Sequence, residues 1–236
     1  MSNKTVAFVL YPGLTPLDLI GPLQVMSGLE AVEEALGSPD RHHVVVVAER
    51  LDALPTDTPV RIAASTTIHD IPAPDVILVP GGGAPTLRQL ANPVLLDYLW
   101  EADRNAEVVA SVCTGSLLLA GAGLLQGRPA TTHWAYRGFL DRLGARYVAE
   151  RWVEDGRYLT GAGVSAGIDT ALRLASRLAS DEMSRLVQLA IEYDPHPPLG
   201  GIDWSTVDRD MLRPRVEGFA KEALGDNPSM LARLLG

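Results

Sequence analysis

The chain has 236 residues, 47% of them hydrophobic and 21% charged, which is ordinary for a globular protein with a sizeable core. Its net charge of −9 lacks the basic footprint that phosphate backbones demand, and this argues against a nucleic-acid partner. One cysteine cannot close an intrachain disulfide, and the first apolar stretch is too short to span a membrane or act as a secretion signal, so no membrane association and a reducing, cytoplasmic setting are expected.

In chain order, Val6-Ala-Phe-Val-Leu10 reads as a core strand. The loop from Tyr11 to Gly21 follows, then a helical pattern from Pro22 to Leu36 and a second strand from Val44 to Ala48. The Pro- and Thr-rich segment Asp52 to Ile68 predicts a short edge hairpin. Strands at Val76 to Val79 and Val108 to Val112 bracket a helix from Asn92 to Ala106, whose Asn92-Pro93 start joins a cap to a proline in the first turn. Near-continuous apolar strands alternating with helices imply a doubly wound α/β fold, a mostly parallel sheet flanked by helices of flavodoxin-like type.

Beyond Cys113, short strands are expected between Tyr147 and Thr160 around the turn Glu154-Asp-Gly156. Helices follow at Ala166 to Ala179 and Asp181 to Ile191. The segment Asp194 to Gly201 breaks regular structure, and a last helix is expected from Thr206 to Leu224. Residues 1–200 thus read as one α/β domain. Residues 201–236 read as a C-terminal extension, helical and packed on the domain or on a second subunit.

Cys113 sits where the fourth strand ends and a helix begins, in Ser111-Val-Cys-Thr-Gly115. A lone cysteine is often a small buried hydrophobe. The strand–cysteine–helix corner instead has the shape of a nucleophile elbow, and a helix N-terminus there favours the thiolate.

Ligands of open α/β sheets collect beyond the carboxyl ends of the strands, where three loops meet. The first carries Asp18 between leucines, as a helix cap or as an acid/base partner of the sulfur. The second, Pro80-Gly-Gly-Gly83, offers the amides of Gly82 and Gly83 to developing negative charge, or is simply a flexible turn. In the third, Thr114 offers its N–H and hydroxyl. His133, in Thr131-Thr-His-Trp134, is either a structural histidine or one that orients the thiolate from behind.

Gly163-Val-Ser-Ala-Gly167 matches the serine elbow G-x-S-x-G outright, with Asp169, Asp181, Asp194 and His196 downstream. The preceding strand is short and His196 lies between prolines, so Ser165 reads as a helix cap. No paired-cysteine or H-E-x-x-H spacing suggests a metal, and His42 and His43 point to opposite faces of a strand. No glycine-rich dinucleotide loop follows the first strand, so no cofactor is expected.

Together these residues resemble the DJ-1/PfpI (ThiJ) superfamily, in particular its isocyanide hydratase branch, over roughly residues 4 to 200. The densest stretch is Ser111 to Trp134, supported by Leu17-Asp-Leu-Ile-Gly-Pro22, Val79-Pro-Gly-Gly82 and Leu159 to Asp169. The resemblance implies Cys113 as nucleophile, Asp18 as its acidic partner, and a homodimer with its interface near the site. Protease-like members carry histidine where Thr114 stands, and members close to DJ-1 carry glutamate where Asp18 stands. The implied reaction is hydration of a small-molecule isocyanide to an N-substituted formamide through a covalent thioimidate. A glyoxalase-like reaction on the same thiol and a non-enzymatic redox or ligand sensor remain open. A regulator would need a DNA-binding module, for which the stretch after Tyr193 is too short and too acidic.

Overall fold

The computed structural model describes residues 2–236. The chain runs through β1 (Ser2–Val9), α1 (Pro16–Ala35), β2 (Asp40–Ala48), β3 (Leu54–Pro55), β4 (Arg61–Ile62), β5 (Thr66–Thr67) and β6 (Val76–Val79). Next come α2 (Ala84–Gln89), α3 (Pro93–Asp103), β7 (Val108–Val112), α4 (Gly115–Gly121), β8 (Pro129–Ala130), a 3₁₀ turn (Trp134–Tyr136), α5 (Arg137–Arg142) and β9 (Arg146–Tyr147). It closes with β10 (Trp152–Asp155), β11 (Tyr158–Gly161), α6 (Ala166–Leu178), α7 (Asp181–Ala190), α8 (Arg213–Leu224) and α9 (Pro228–Leu235).

The four apolar runs sit side by side in a seven-stranded sheet of order β10-β11-β7-β6-β1-β2-β5. Only the β10–β11 pairing is antiparallel. Every residue of β6 and β7 is buried, because helices cover both faces. Each such valine or leucine taken from water contributes about 1.5–3 kcal/mol. Helices α1, α6 and α7 pack on one another as one layer; α2, α3, α4 and α5 form another, with α8 packed on α2 and α9 on α5. The strand order reverses between β1 and β6, so the loops after these strands open the crevice where such sheets bind ligands.

The short elements follow local chemistry. β3 and β4 make the hairpin expected within 52–68, and β10 and β11 make the one around Gly156. The Asn92 side chain accepts a hydrogen bond from the Leu95 N–H and starts α3. Strands β1 and β2 each begin four residues earlier than expected, and two helix starts also differ. Helix α1 begins at Pro16 rather than Pro22, with proline at its start; Pro22 is tolerated inside it because its ring fills the space beside Gly167 of α6. Asp18 therefore lies in the first turn of a helix, not in a loop. The final helix starts at Arg213 rather than Thr206, with Pro214 in its first turn, and Asn227-Pro228 begins a further helix, α9.

Candidate active site

β7 delivers Cys113 to a tight corner. Its φ of +57° lies in the left-handed region, which costs a residue with a β-carbon roughly 1–2 kcal/mol. Surrounding bonds hold it there. The Cys113 N–H donates to the carbonyls of Gly161 (3.0 Å) and Ala162 (3.1 Å), and its own carbonyl accepts from the hydroxyls of Thr132 (3.0 Å) and Ser116 (3.2 Å). The loop after β6 presses against the same corner. A β-carbon on Gly115 would lie 2.0 Å from the Val79 carbonyl oxygen, and one on Gly81 would lie 2.4 Å from the Thr114 nitrogen. Both positions need glycine for close approach.

Asp18 enters from the first turn of α1 and is fully buried. The Gly81 N–H donates to its Oδ2 at 3.1 Å. Its Oδ1 has no well-aligned partner among the described residues, and the carboxyl faces the Cys113 thiol. Burial raises the carboxyl from 3.8 to about 7, against the opposing pull of Cys113 and of the Gly81 N–H; nearby Asp57 adds to the rise. Burial also pushes the Cys113 thiol well above its usual range, and the charge of Asp18 pushes it further. The N–H groups of Thr114 and Val164 oppose this shift. The sulfur thus holds its proton at rest. The expectation of a thiolate at a helix end is corrected: α4 is only seven residues long, and desolvation outweighs its end.

Above the sulfur lies a cleft of about 190 Å³, small beside the ~300–1,000 Å³ of drug-sized sites. It brings Cys113 together with Gly82, Gly83 and His133, and adds Thr15, Ala135, Tyr136, Val164, Leu212, Arg215, Val216 and Phe219. Two expected donors are already engaged. The Gly82 N–H donates to Thr114 Oγ1 at 2.8 Å, and that hydroxyl donates back to the Gly82 carbonyl at 2.7 Å. This closed pair ties the second loop to the third and removes the Gly82 N–H and the Thr114 hydroxyl from the list of free donors. The groups at the sulfur are the N–H of Thr114, as expected, and that of Val164. Behind the pair, the buried Tyr11 hydroxyl donates to the Pro80 carbonyl at 2.7 Å and pins the first loop to the second.

His133 lines the cleft itself rather than standing behind it. Its Nδ1 accepts from the Ala135 N–H at 3.2 Å, capping the 3₁₀ turn, and burial lowers its pKa, so the ring is neutral. Ser165 heads α6 as expected but makes no cap hydrogen bond. It is exposed, and its hydroxyl accepts from Arg151 at 3.4 Å. The exposed His196 turns its Nδ1 to the Asp194 carbonyl at 2.8 Å, and among the described residues it makes no hydrogen bond to Ser165. Sequence reasoning missed Val164, whose contribution is a backbone N–H, and the four residues contributed by Leu212 and α8. The amphipathic run Val216, Phe219, Ala220 signals a packed helix face but not the surface it covers.

A cysteine at a strained strand-to-helix corner thus faces an acid from the first turn of α1. The sequence profile of the DJ-1/PfpI family matches residues 4–177. The chain belongs to the DJ-1/PfpI family. Among DJ-1/PfpI proteins it is similar to an isonitrile hydratase of Pseudomonas putida, with 43% identity over 194 residues, covering 82% of this chain and 80% of that one. It is 34% identical over 121 residues to the HTH-type transcriptional regulator CdhR of Pseudomonas aeruginosa, which covers half of this chain but 35% of the regulator. The crystal structure of a THiJ/PfpI family protein from Pseudomonas syringae superposes with a TM-score of 0.82 at 30% identity, covering 100% of this chain and 92% of that one. Drosophila melanogaster DJ-1beta shares the fold, with a TM-score of 0.72 at 22% identity over 83% of this chain. No helix among the described residues of this DJ-1/PfpI chain is long and apolar enough to cross a membrane.

Proposed function

We propose that this DJ-1/PfpI protein hydrates small isocyanides to N-substituted formamides, with Cys113 as nucleophile and Asp18 as the group that carries the proton. The observation that carries the reading is the buried carboxyl of Asp18 against the chain's one cysteine, at the floor of a small cleft. Its 43% identity to an isonitrile hydratase supports the substrate class.

The chemistry follows from one proton shared by two buried groups. A lone pair of sulfur bonds the terminal isocyanide carbon while the thiol proton passes to Asp18. The carboxyl returns that proton to the carbon, whose own lone pair takes it up, giving a thioimidate, S–CH=N–R. Asp18, again a carboxylate, draws a proton from water as the water oxygen bonds the carbon, and the C=N pair moves to nitrogen, which receives that proton. The C–S bond then breaks, its electrons return to sulfur with the hydroxyl proton, and the formamide leaves. Two easier steps replace one hard hydration, as is general for nucleophilic catalysis. The N–H groups of Thr114 and Val164 support charge on the sulfur as it leaves. The steps balance without a cofactor.

The assembly fits a homodimer. Leu17 and Ile20, which flank Asp18 on α1, leave large apolar side chains exposed beside the site. A free thiol as reagent suits a reducing compartment, in keeping with a cytoplasmic location.

The test is formamide production from an alkyl isocyanide, assayed in parallel with hydration of methylglyoxal. Turnover of the isocyanide that Cys113→Ala abolishes is expected. Turnover of methylglyoxal alone overturns the reading in favour of a glyoxalase-like reaction, and turnover of neither favours a sensor.

A further inference from the structure

Helix α8 closes the cleft with a wall that differs in character from the floor. Val216 and Ala220 turn inward and hold α8 to the body. The Phe219 ring stands over Gly83, 3.6 Å from the place a β-carbon there would occupy, and forms part of the cleft wall. Arg215 is exposed and lines the same cleft, its guanidinium 5.3 Å from the centroid of the Phe219 ring. Stacking on that ring orients the guanidinium without consuming its hydrogen-bond donors.

Arg215 also differs from its neighbours in charge pairing. Asp210 holds both Arg137 (2.5 Å) and Arg213 (2.9 Å), whereas Arg215 has no carboxylate partner among the described residues. In a chain of net charge −9, a cation without an acidic partner, set over an aromatic ring in the wall of the cleft that holds the reactive sulfur, offers a planar fork to an anion. Tyr136, Val164 and Val216 supply apolar surface to the cleft.

Resting on the hydratase reading, we infer that the preferred substrates are compact isocyanides whose flat or apolar N-substituent carries a carboxylate, and that Arg215, held by Phe219, is the residue that selects them. A neutral isocyanide meets the same sulfur but leaves the guanidinium without a partner. One charge-assisted contact is expected to favour the anion about tenfold in kcat/KM.

Two measurements on the full chain test this separately from the hydratase reading. The first compares alkylation of Cys113 by iodoacetate and by iodoacetamide, reagents of similar size that differ in charge. The ratio of iodoacetate to iodoacetamide rate constants is expected to fall about tenfold in Arg215→Gln and to be largely kept in Arg215→Lys. The second compares kcat/KM for 4-isocyanobenzoate and phenyl isocyanide, where the ratio is expected to move in the same way. Arg215 is exposed, so these variants fold. Ratios that Arg215→Gln leaves unchanged overturn the inference while the hydratase reading stands. A falling alkylation ratio with neither isocyanide hydrated overturns the hydratase reading while Arg215 remains the anion-selecting residue. Failure of both reagents to reach Cys113 overturns the inference outright.

Discussion

The carboxyl of Asp18, in the first turn of α1, lies against the thiol of Cys113, at the end of β7; the carboxyl strengthens the thiol's hold on its proton, while the thiol, as hydrogen-bond donor, eases the carboxyl's own. Far apart in sequence, the two meet because the sheet reverses its winding between β1 and β6 and the glycine loop after β6 ties the two ends together. A Gly81 amide on one carboxyl oxygen fixes the acid's orientation and leaves the other for the sulfur.

The pair titrates as a unit, so activity should follow its singly protonated form. When both groups hold protons, the carboxyl cannot accept the thiol's proton. We expect kcat/KM to rise with pH through an apparent pKa near the value of about 7 set for Asp18, and to fall only at alkaline pH as the second proton leaves. Asp18→Asn should lose about 10²–10⁴ in kcat/KM together with the acid limb. A pH–rate series on both proteins measures this.

The same burial makes Asp18 a liability to stability above neutrality. Its folded-state pKa is raised from 3.8 to about 7, so the folded chain binds the proton more tightly than the unfolded one. That contribution is present in full below about pH 4 and is lost as pH rises through about 7. Above neutrality the ionised carboxyl costs up to about 4 kcal/mol relative to a neutral isostere. Asp18→Asn should therefore unfold at higher temperature than the parent at pH 8, with the difference closing toward pH 4. Thermal unfolding across that range gives the sign directly.

The corner itself is expected to resist change. A β-carbon on Gly115 meets the Val79 carbonyl at 2.0 Å, and no flexible side chain is there to move aside. Gly115→Ala should cost at least about 1–3 kcal/mol in a denaturant titration and displace the sulfur, lowering Cys113 alkylation along with activity.

A second buried pair, remote from the chemistry, provides a contrast. Glu33 of α1 accepts from the His42 ring Nδ1 at 2.6 Å and from the His42 backbone N–H at 2.8 Å, with both side chains buried. Removing one partner strands the other in the core, so Glu33→Ala should lower stability by about 3–5 kcal/mol. The turnover of the fraction that remains folded should be unchanged, since neither residue lines the cleft. Equilibrium unfolding and active-site titration separate the two effects.

Much of the fold could be read from periodicity. The four apolar runs became the four adjacent central strands, and Asn92-Pro93 marked a helix start that Asn227-Pro228 repeats at α9. Pro22 misled, because a proline normally starts a helix, while here tertiary packing against Gly167 keeps it inside one. Cys113 and Asp18 stood out as a lone thiol at a strand end and an acid among leucines. The donors did not. Val164 acts through its backbone, which no residue type advertises, and the bonds that occupy the Gly82 amide and the Thr114 hydroxyl depend on how two loops meet. Ionisation was misjudged for the same reason: a helix end is visible in sequence, whereas the burial that outweighs it is a property of the assembled core.

The most direct test of the central claim is the intact mass of the protein quenched in acid during turnover of a slow isocyanide. A covalent thioimidate predicts a gain of one reagent mass per chain, located at Cys113 by peptide mapping and absent from Cys113→Ala. Formamide produced at full rate by protein whose Cys113 is never modified, or by Cys113→Ala, would contradict it.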